Sequence, residues 1–142
     1  MKKKIKALIE ISKKFDYSIC LDPEVDTPYG LLGQGKTIEE AKQDFMDCYE
    51  EMRECYEEDG EVFPEIEIEF VYEIQSFLKY SPFPLTWLSE ATGINKKQLS
   101  HYTTEHRNPS RATLLKIQNA VNKFVADYSQ VCFVYEVEKK IG

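Results

Sequence analysis

Residues 30–37 match the consensus sequence of a phosphate-binding loop. Their order, G-L-L-G-Q-G-K-T, matches G-x-x-x-x-G-K-[ST], in which backbone N–H groups and a lysine hold the phosphates of a nucleotide. Such a loop has to bend from its first glycine, whereas Leu31 and Leu32 continue an apolar run that favours a strand. A glycine-rich turn from a strand into a helix capped by Thr37 accounts for the same residues. We therefore expect no bound nucleotide, and a role of the string beyond a turn stays open.

Carboxylates, histidines and cysteines do not form a second reactive group. A metal-dependent nuclease needs carboxylates close together on its strands, but Glu65, Glu67 and Glu69 alternate with apolar residues and so line a solvated sheet face. The two histidines have no matched nucleophile, and the four cysteines lack the paired spacing of a zinc site. The sequence predicts no catalytic residue, no metal and no cofactor, and hence a protein that is not an enzyme.

Charge divides the 142-residue chain into two parts. The whole chain has 18 Lys and Arg against 25 Asp and Glu, a net charge of −7 that argues weakly against nucleic-acid binding. Residues 1–70, however, hold 9 basic and 19 acidic side chains (−10), whereas residues 71–142 hold 9 basic and 6 acidic ones (+3). Two modules of opposite charge are the simplest interpretation. A single domain with unevenly charged faces is the alternative.

Neither an export signal nor a membrane segment is evident. The apolar run at residues 5–11 is interrupted by Lys6 and Glu10, so it does not read as the core of a signal peptide. No stretch approaches eighteen apolar residues. We expect a cytoplasmic protein with reduced thiols.

The first module, residues 1–70, predicts an α+β fold. Its expected elements are, in order, strands over 4–12, 15–21 and 29–32, a helix from the Thr37 cap to about Asp59, and a strand over 64–70. The two-residue link between the first two strands predicts an antiparallel hairpin, and Gly33 and Gly35 are expected to end the third strand. The predicted architecture is a small antiparallel sheet with one long helix on one face.

The second module, residues 71–128, predicts an all-α unit. Its expected helices cover 71–80, 85–92, 95–104 with Asn95 as the cap, and a last helix from the Ser110 cap to about Asp127. Gly93 lies where a sharp turn needs positive φ. In the remaining tail, 129–142, residues 131–137 are strongly β-prone. A lone strand needs a partner, either the N-terminal sheet or a second copy, so the tail is a candidate dimerisation strand.

Two helices around Gly93 carry the clearest family signal. Residues 85–102 read L-T-W-L-S-E-A-T-G-I-N-K-K-Q-L-S-H-Y, and N-P-S-x-x-T-L-L-x-I follows. Over residues 72–127 this resembles the helix-turn-helix of the XRE/phage-repressor type, although Glu105 stands where that family usually has Gly. The resemblance implies that the second helix of the pair enters the major groove of DNA. The implied base contacts are Lys96, Lys97, Ser100 and His101, and the implied phosphate contacts are Arg107, Asn108 and Arg111.

The first module has a family resemblance of its own. The residues E-I-S-K-K-F-D-Y-S-I-C-L, followed by Y-G-L-L-G-Q-G-K-T-I-E-E-A-K-Q-D-F, are similar to the HicB antitoxin domain. That family has a truncated ribonuclease-H-like fold without the nuclease carboxylates, and many members append a DNA-binding domain. The long acidic helix and the β-prone tail depart from the simplest pattern of the family.

The two resemblances together imply an antitoxin of a type II toxin–antitoxin pair. Such a protein represses its own promoter as a homodimer or higher oligomer, and its acidic module covers a small basic RNA-cleaving toxin (HicA-like). Candidate toxin contacts are Asp16, Tyr17, Asp22, Glu24 and Asp26. The alternatives are an orphan HicB-like regulator without a toxin, and a protein-interaction module that never touches DNA.

Overall fold

Four strands and five helices make up the part of the chain that the computed structural model describes, residues 2–13, 16–104 and 107–134. In order they are β1 (Lys3–Lys13), β2 (Asp16–Leu21), β3 (Leu32–Gly35), α1 (Ile38–Glu58), β4 (Ile66–Tyr72), α2 (Ile74–Tyr80), α3 (Leu85–Thr92), α4 (Lys96–His101) and α5 (Arg111–Tyr128). The α+β class is as predicted. Within those ranges, none of the helices combines the length and the apolar character needed to cross a membrane.

The sheet is mixed, with strand order β3-β2-β1-β4. β1 and β2 form the predicted antiparallel hairpin, and β3 is antiparallel to β2. The prediction of an antiparallel sheet is wrong for the last strand, because β4 pairs with β1 in parallel. The reason is the connection: α1 carries the chain back between β3 and β4, so both strands run in the same direction as β1.

The third strand lies further along the chain than predicted. It covers Leu32–Gly35 instead of 29–32, so Gly33 and Gly35 belong to the strand rather than ending it. Both glycines lie directly under α1: a Cβ on Gly33 would be 2.6 Å from Cβ of Phe45, and one on Gly35 would be 2.6 Å from the backbone N of Ala41. The glycines therefore allow close helix packing. The phosphate-motif string thus runs through an extended strand that is covered by a helix.

The long helix α1 covers one face of the sheet. Thr37 caps it as predicted, since its hydroxyl accepts a hydrogen bond of 3.0 Å from the backbone N–H of Glu40. Ala41, Phe45 and Tyr49 are its buried residues, and they pack with the inward-facing side chains of β1 and β2. A second, separate hydrophobic cluster lies among α2, α3, α4 and α5.

The two clusters are joined by a short, hydrogen-bonded connection. β4 continues to Tyr72, so the predicted boundary after residue 70 falls inside this strand, and α2 begins later than the predicted start at residue 71. The backbone N–H of Glu73 donates to the carbonyl of Ile9 at 2.9 Å, which extends the β1–β4 pairing by one residue. The backbone N–H of Ile11 donates to Oγ of Ser76 at 3.0 Å. These two hydrogen bonds hold the start of α2 against β1.

The predicted strand over 131–137 is not formed in its described part. Residues 131–134 are irregular, and the side chain of Phe133 is 93% exposed. No strand lies beside them among the described residues, and strand-forming residues need such a partner. Residues 135–142 lie outside the described residues, as do Glu105 and His106.

Candidate nucleic-acid interface

A left-handed glycine makes the turn between α3 and α4. α3 ends at Thr92, and Gly93 has φ 78° and ψ 4°, a conformation that glycine adopts without the cost that a side chain brings. Ser89 donates a 2.6 Å hydrogen bond from Oγ to the carbonyl of Ile94, and Oγ1 of Thr92 accepts one of 3.2 Å from the N–H of Ile94. These bonds set the direction in which α4 leaves the turn.

Buried apolar side chains hold α4 against its neighbours. Leu88 and Leu99 have no exposed surface, and Ile94 and Tyr102 are buried with them, as predicted from the sequence. The predicted cap is also present, because Oδ1 of Asn95 accepts a 2.8 Å hydrogen bond from the N–H of Lys97. α4 is thus anchored on one side and free on the other.

α4 is shorter than predicted. It ends at His101, three residues before the expected end at residue 104. Thr103 and Thr104 donate from their hydroxyls to the carbonyls of Ser100 and His101, at 2.6 and 2.8 Å. Threonine hydroxyls that satisfy the last carbonyls of a helix compete with its continuation.

The free side of α4 displays the four candidate base contacts. Their positions recur one and four residues apart, which places them on one helical face opposite the buried Leu99. All four are exposed: Lys96, Lys97, Ser100 and His101. The structure therefore brings together the side chains that the helix-turn-helix resemblance singles out.

The candidate phosphate contacts lie beside this face. Arg107 and Asn108 are exposed in the loop before α5, and Arg111 is the exposed first residue of α5. Ser110 caps α5 as predicted, with Oγ accepting from the N–H of Thr113 at 3.2 Å. The loop thus presents two arginines close to a helix start.

One open depression of about 310 Å³ connects the candidate base contacts on α4 with the candidate phosphate contact Arg107. It is lined by Asn95, Lys97, Gln98, His101 and Arg107. Sequence reasoning missed Gln98, which lies three residues before His101 and so shares its side of the helix. The amide of Gln98 donates to the hydroxyl of Tyr102 at 2.7 Å, which orients it.

A second basic group lies elsewhere on the helical unit. Lys116 and Lys123 of α5 border a depression of about 280 Å³ together with the end of α3. Lys123 donates to Asp127 at 2.8 Å, and this hydrogen bond raises the pKa of the Lys123 ammonium. The charge of Lys123 is therefore already paired, unlike the lysines of α4 among the described residues.

The structure does not bring the five candidate toxin contacts together. Asp16 and Tyr17 begin β2, whereas Asp22, Glu24 and Asp26 follow its other end. Four residues of strand separate Tyr17 from Asp22, and Asp16 and Asp22 are about 20 Å apart along the strand.

Several of these candidates are also engaged in local contacts. Asp16 pairs with Lys36 at 3.6 Å, and Tyr17 faces α1 and packs against the core. The carboxylate of Asp22 accepts a 3.0 Å hydrogen bond from the N–H of Glu24. Of the two segments, the loop after β2 is the more open.

No cluster of metal-ligating side chains accompanies these surfaces in the ranges that the structure covers. There, no three His, Cys, Asp or Glu side chains lie close enough to hold a metal ion. Comparison with known proteins adds no assignment: no family model matches the chain, and no curated protein or solved structure matches it either. The HicB-like and XRE-like resemblances therefore stay predictions that rest on the residues quoted above.

Proposed function

We propose that this chain is a DNA-binding antitoxin of the HicB type, which represses its own promoter and neutralises a small basic RNA-cleaving toxin. The observation that carries the DNA-binding part is the free face of α4. It presents two lysines, a serine and a histidine on a helix that starts directly after the Gly93 turn. Buried Leu99 anchors the opposite side of the same helix.

This arrangement suits recognition of the major groove. The groove is about 12 Å wide and admits one α-helix. Lys96 and Lys97 at the start of α4 can reach O6 and N7 of guanine, while Ser100 and His101 extend the same face. Because α4 has only six residues, its base contacts are few. Arg107, Asn108 and Arg111 supply the phosphate contacts that position it.

The charge distribution and a homodimer both bear on how the chain binds DNA. The strongly acidic first 70 residues are repelled by phosphates, so only the helical unit approaches the duplex. One short recognition helix buries too little surface for tight specific binding, and a homodimer on two half-sites supplies the rest. Exposed apolar side chains at the end of α5 and after it, Val125, Tyr128, Val131 and Phe133, offer a surface for the second copy.

A DNA-shift titration tests the DNA-binding part. The full chain is mixed with its own promoter and with a scrambled duplex, at 50 and 200 mM salt. We expect preference for the promoter at both concentrations and an affinity that falls steeply as salt rises. Equal affinity for the two duplexes at 200 mM would refute the specific repressor.

Three single substitutions separate the roles of the basic residues. Lys97→Ala should cost about 1–3 kcal/mol of binding free energy and relax the base preference. Arg111→Ala should weaken binding evenly across sequences and lower the salt slope by about one. Lys123→Ala is the matched control: it removes the same charge, but that charge is already paired with Asp127 at 2.8 Å, so binding should hardly change.

The toxin part is supported by the acidity of residues 1–70 and by the HicB resemblance. Co-expression with a small basic protein from the adjacent reading frame tests it, with suppression of that protein's RNA cleavage as the readout. Two alternatives stay open, an orphan regulator and a protein-interaction module. The apolar surface around Val125 and Tyr128 favours the second of these. If the chain bound no DNA at low salt, the protein-interaction module would become the better interpretation.

A further inference from the structure

Four apolar side chains form a continuous row across the face of the sheet that α1 leaves open. The strand register aligns Leu32 of β3 with Cys20 of β2, Cys20 with Leu8 of β1, and Leu8 with Val71 of β4. Three strand spacings of about 4.8 Å make this open-face row about 14 Å long. It crosses all four strands.

The open-face row is not part of either hydrophobic core. None of its members belongs to the two buried clusters, and they alternate along their strands with residues that face α1. Leu32 is 53% exposed, and the other three are partly exposed. An exposed apolar patch that is rimmed by polar groups is one feature of protein-interaction sites.

The charges around the open-face row are unbalanced. On this face the register pairs Lys4 with Glu67 and Lys6 with Glu69, while Glu10 and Asp22 lie on either side of Cys20. Around the row, four carboxylates thus stand against two ammonium groups, while Asp16 and Lys36, further along the same face, pair with each other at 3.6 Å. Glu10 follows Leu8 by two residues and Asp22 follows Cys20 by two, so both carboxylates share the face of the row. Burial, and then these two carboxylates, raise the pKa of the Cys20 thiol.

We propose that the open-face row is the docking site of a small basic protein, which presents an apolar strip flanked by lysines and arginines. A second copy of this chain fits less well, since it would bring the same excess of carboxylates against itself. A nucleic acid would be repelled by those carboxylates. The partner is the toxin of the proposed function, on which this inference rests.

The row also distinguishes this face from the outer surface of α1. That surface is acidic as well, with Glu50, Glu54 and Glu57 among its exposed residues, but it offers charge without an apolar strip. Exposed ion pairs contribute little affinity on their own, whereas buried apolar contacts at the centre of an interface contribute most of it. The docking site therefore lies on the sheet rather than on the helix.

Methyl NMR of the full chain, labelled at Ile, Leu and Val, tests the docking site. The probe is a ten-residue peptide of alternating Lys and Val with blocked ends, and the comparison peptide alternates Glu and Val. We expect the Lys/Val peptide to shift the methyl signals of Leu8, Leu32 and Val71, and the Glu/Val peptide to leave them unchanged. Equal shifts with both peptides, or shifts confined to other methyl groups, would overturn the proposal.

Substitutions in the row distinguish binding at this site from a general attraction of the cationic peptide to the acidic chain. Leu32→Arg, at an exposed position, should weaken binding of the Lys/Val peptide at least tenfold, and Leu8→Arg should do the same. Leu115→Arg is the control, because Leu115 is 43% exposed on α5. Peptide binding by the Leu32→Arg chain as tight as by the unmodified chain would overturn the proposal.

The same Leu32→Arg chain is then titrated with promoter DNA, which it should bind as the unmodified chain does. In the unmodified chain, promoter binding without peptide binding at the row would refute the docking site and keep the repressor. Peptide binding at the row without promoter binding would refute the repressor and keep the docking site.

Discussion

Replacement of Gly35 by alanine should destabilise the α+β part of the chain through a clash with α1. A Cβ at this position would lie 2.6 Å from both the backbone N of Ala41 and Cβ of Glu40, whereas ordinary van der Waals contacts are 3.4–4 Å. The helix would have to move outward by about 1 Å. The atoms in the way include backbone of the helix, so a change of side-chain rotamer cannot relieve the clash.

The expected cost follows from that displacement. Inserting a methyl group into a packed contact typically costs about 1–3 kcal/mol of unfolding free energy, and occasionally more. Because Ala41 and Phe45 on the same turns of α1 are fully buried, an outward movement also opens the core beneath them. We therefore expect about 3 kcal/mol for Gly35→Ala. At a denaturant slope of about 2 kcal/mol/M, the urea midpoint would fall by about 1.5 M.

Gly30 provides the matched control within the same glycine-rich string. A Cβ at Gly30 meets no atom within 4 Å, and its φ is not in the left-handed region. Gly30→Ala should therefore be neutral or stabilise the chain by about 0.4–1 kcal/mol, since it only restricts the unfolded state. The two substitutions add the same methyl group, but only Gly35→Ala should lower stability.

Urea unfolding, followed by two probes, is the measurement. Far-UV circular dichroism reports on both parts of the chain, whereas the single tryptophan, Trp87, packs against the second hydrophobic cluster and reports on the helical unit. Gly35→Ala should lower the midpoint seen by circular dichroism more than the one seen by fluorescence. If Gly35→Ala proved as stable as Gly30→Ala, close packing of α1 on β3 would be refuted.

Two further predictions concern the turn and the aromatic cluster. Gly93→Ala places a side chain at φ 78° and should cost about 1–2 kcal/mol, lowering the Trp87 midpoint and promoter affinity together. Burial, and then Tyr49 and Tyr56, raise the pKa of Tyr29 from 10.0 to about 12. The folded state thus binds the Tyr29 hydroxyl proton more tightly than the unfolded state does. The contribution of Tyr29 to the free energy of unfolding is therefore complete below pH 10 and is lost between pH 10 and 12. Urea midpoints at pH 9 and pH 11 should show this fall, and Tyr29→Phe should reduce it.

Local signals predicted the helix caps and the glycine turn, although α2 begins three residues later than predicted. Thr37, Asn95 and Ser110 each accept the capping hydrogen bond expected of them, and Gly93 has the positive φ that its turn requires. These features depend on residues two to four positions away, so a single sequence contains the information. The end of α4 was less predictable, because two threonine hydroxyls compete for its last carbonyls.

The sheet was predicted less well because its contacts are not local. The direction of β4 depends on how α1 crosses the sheet, and residues 64–70 contain no signal for it. Gly33 and Gly35 were interpreted as breaks because glycine is rare in strands. Their role appears only when the helix is in place above them. Of the candidate site, the exposed face of α4 could be predicted from helical spacing, whereas its meeting with Arg107 depends on the folded loop.

The close packing of α1 and the open-face row depend on the same register of β3. Successive side chains of a strand point to opposite faces, so glycines at 33 and 35 under the helix require Leu32 and Gln34 to face the other way. A slip by one residue would push Leu32 into α1 and leave a glycine at the end of the apolar row. The two features can nevertheless be perturbed separately. Gly35→Ala changes the covered face and should act on stability, whereas Leu32→Arg changes the open face and should act on partner binding with little change in the urea midpoint.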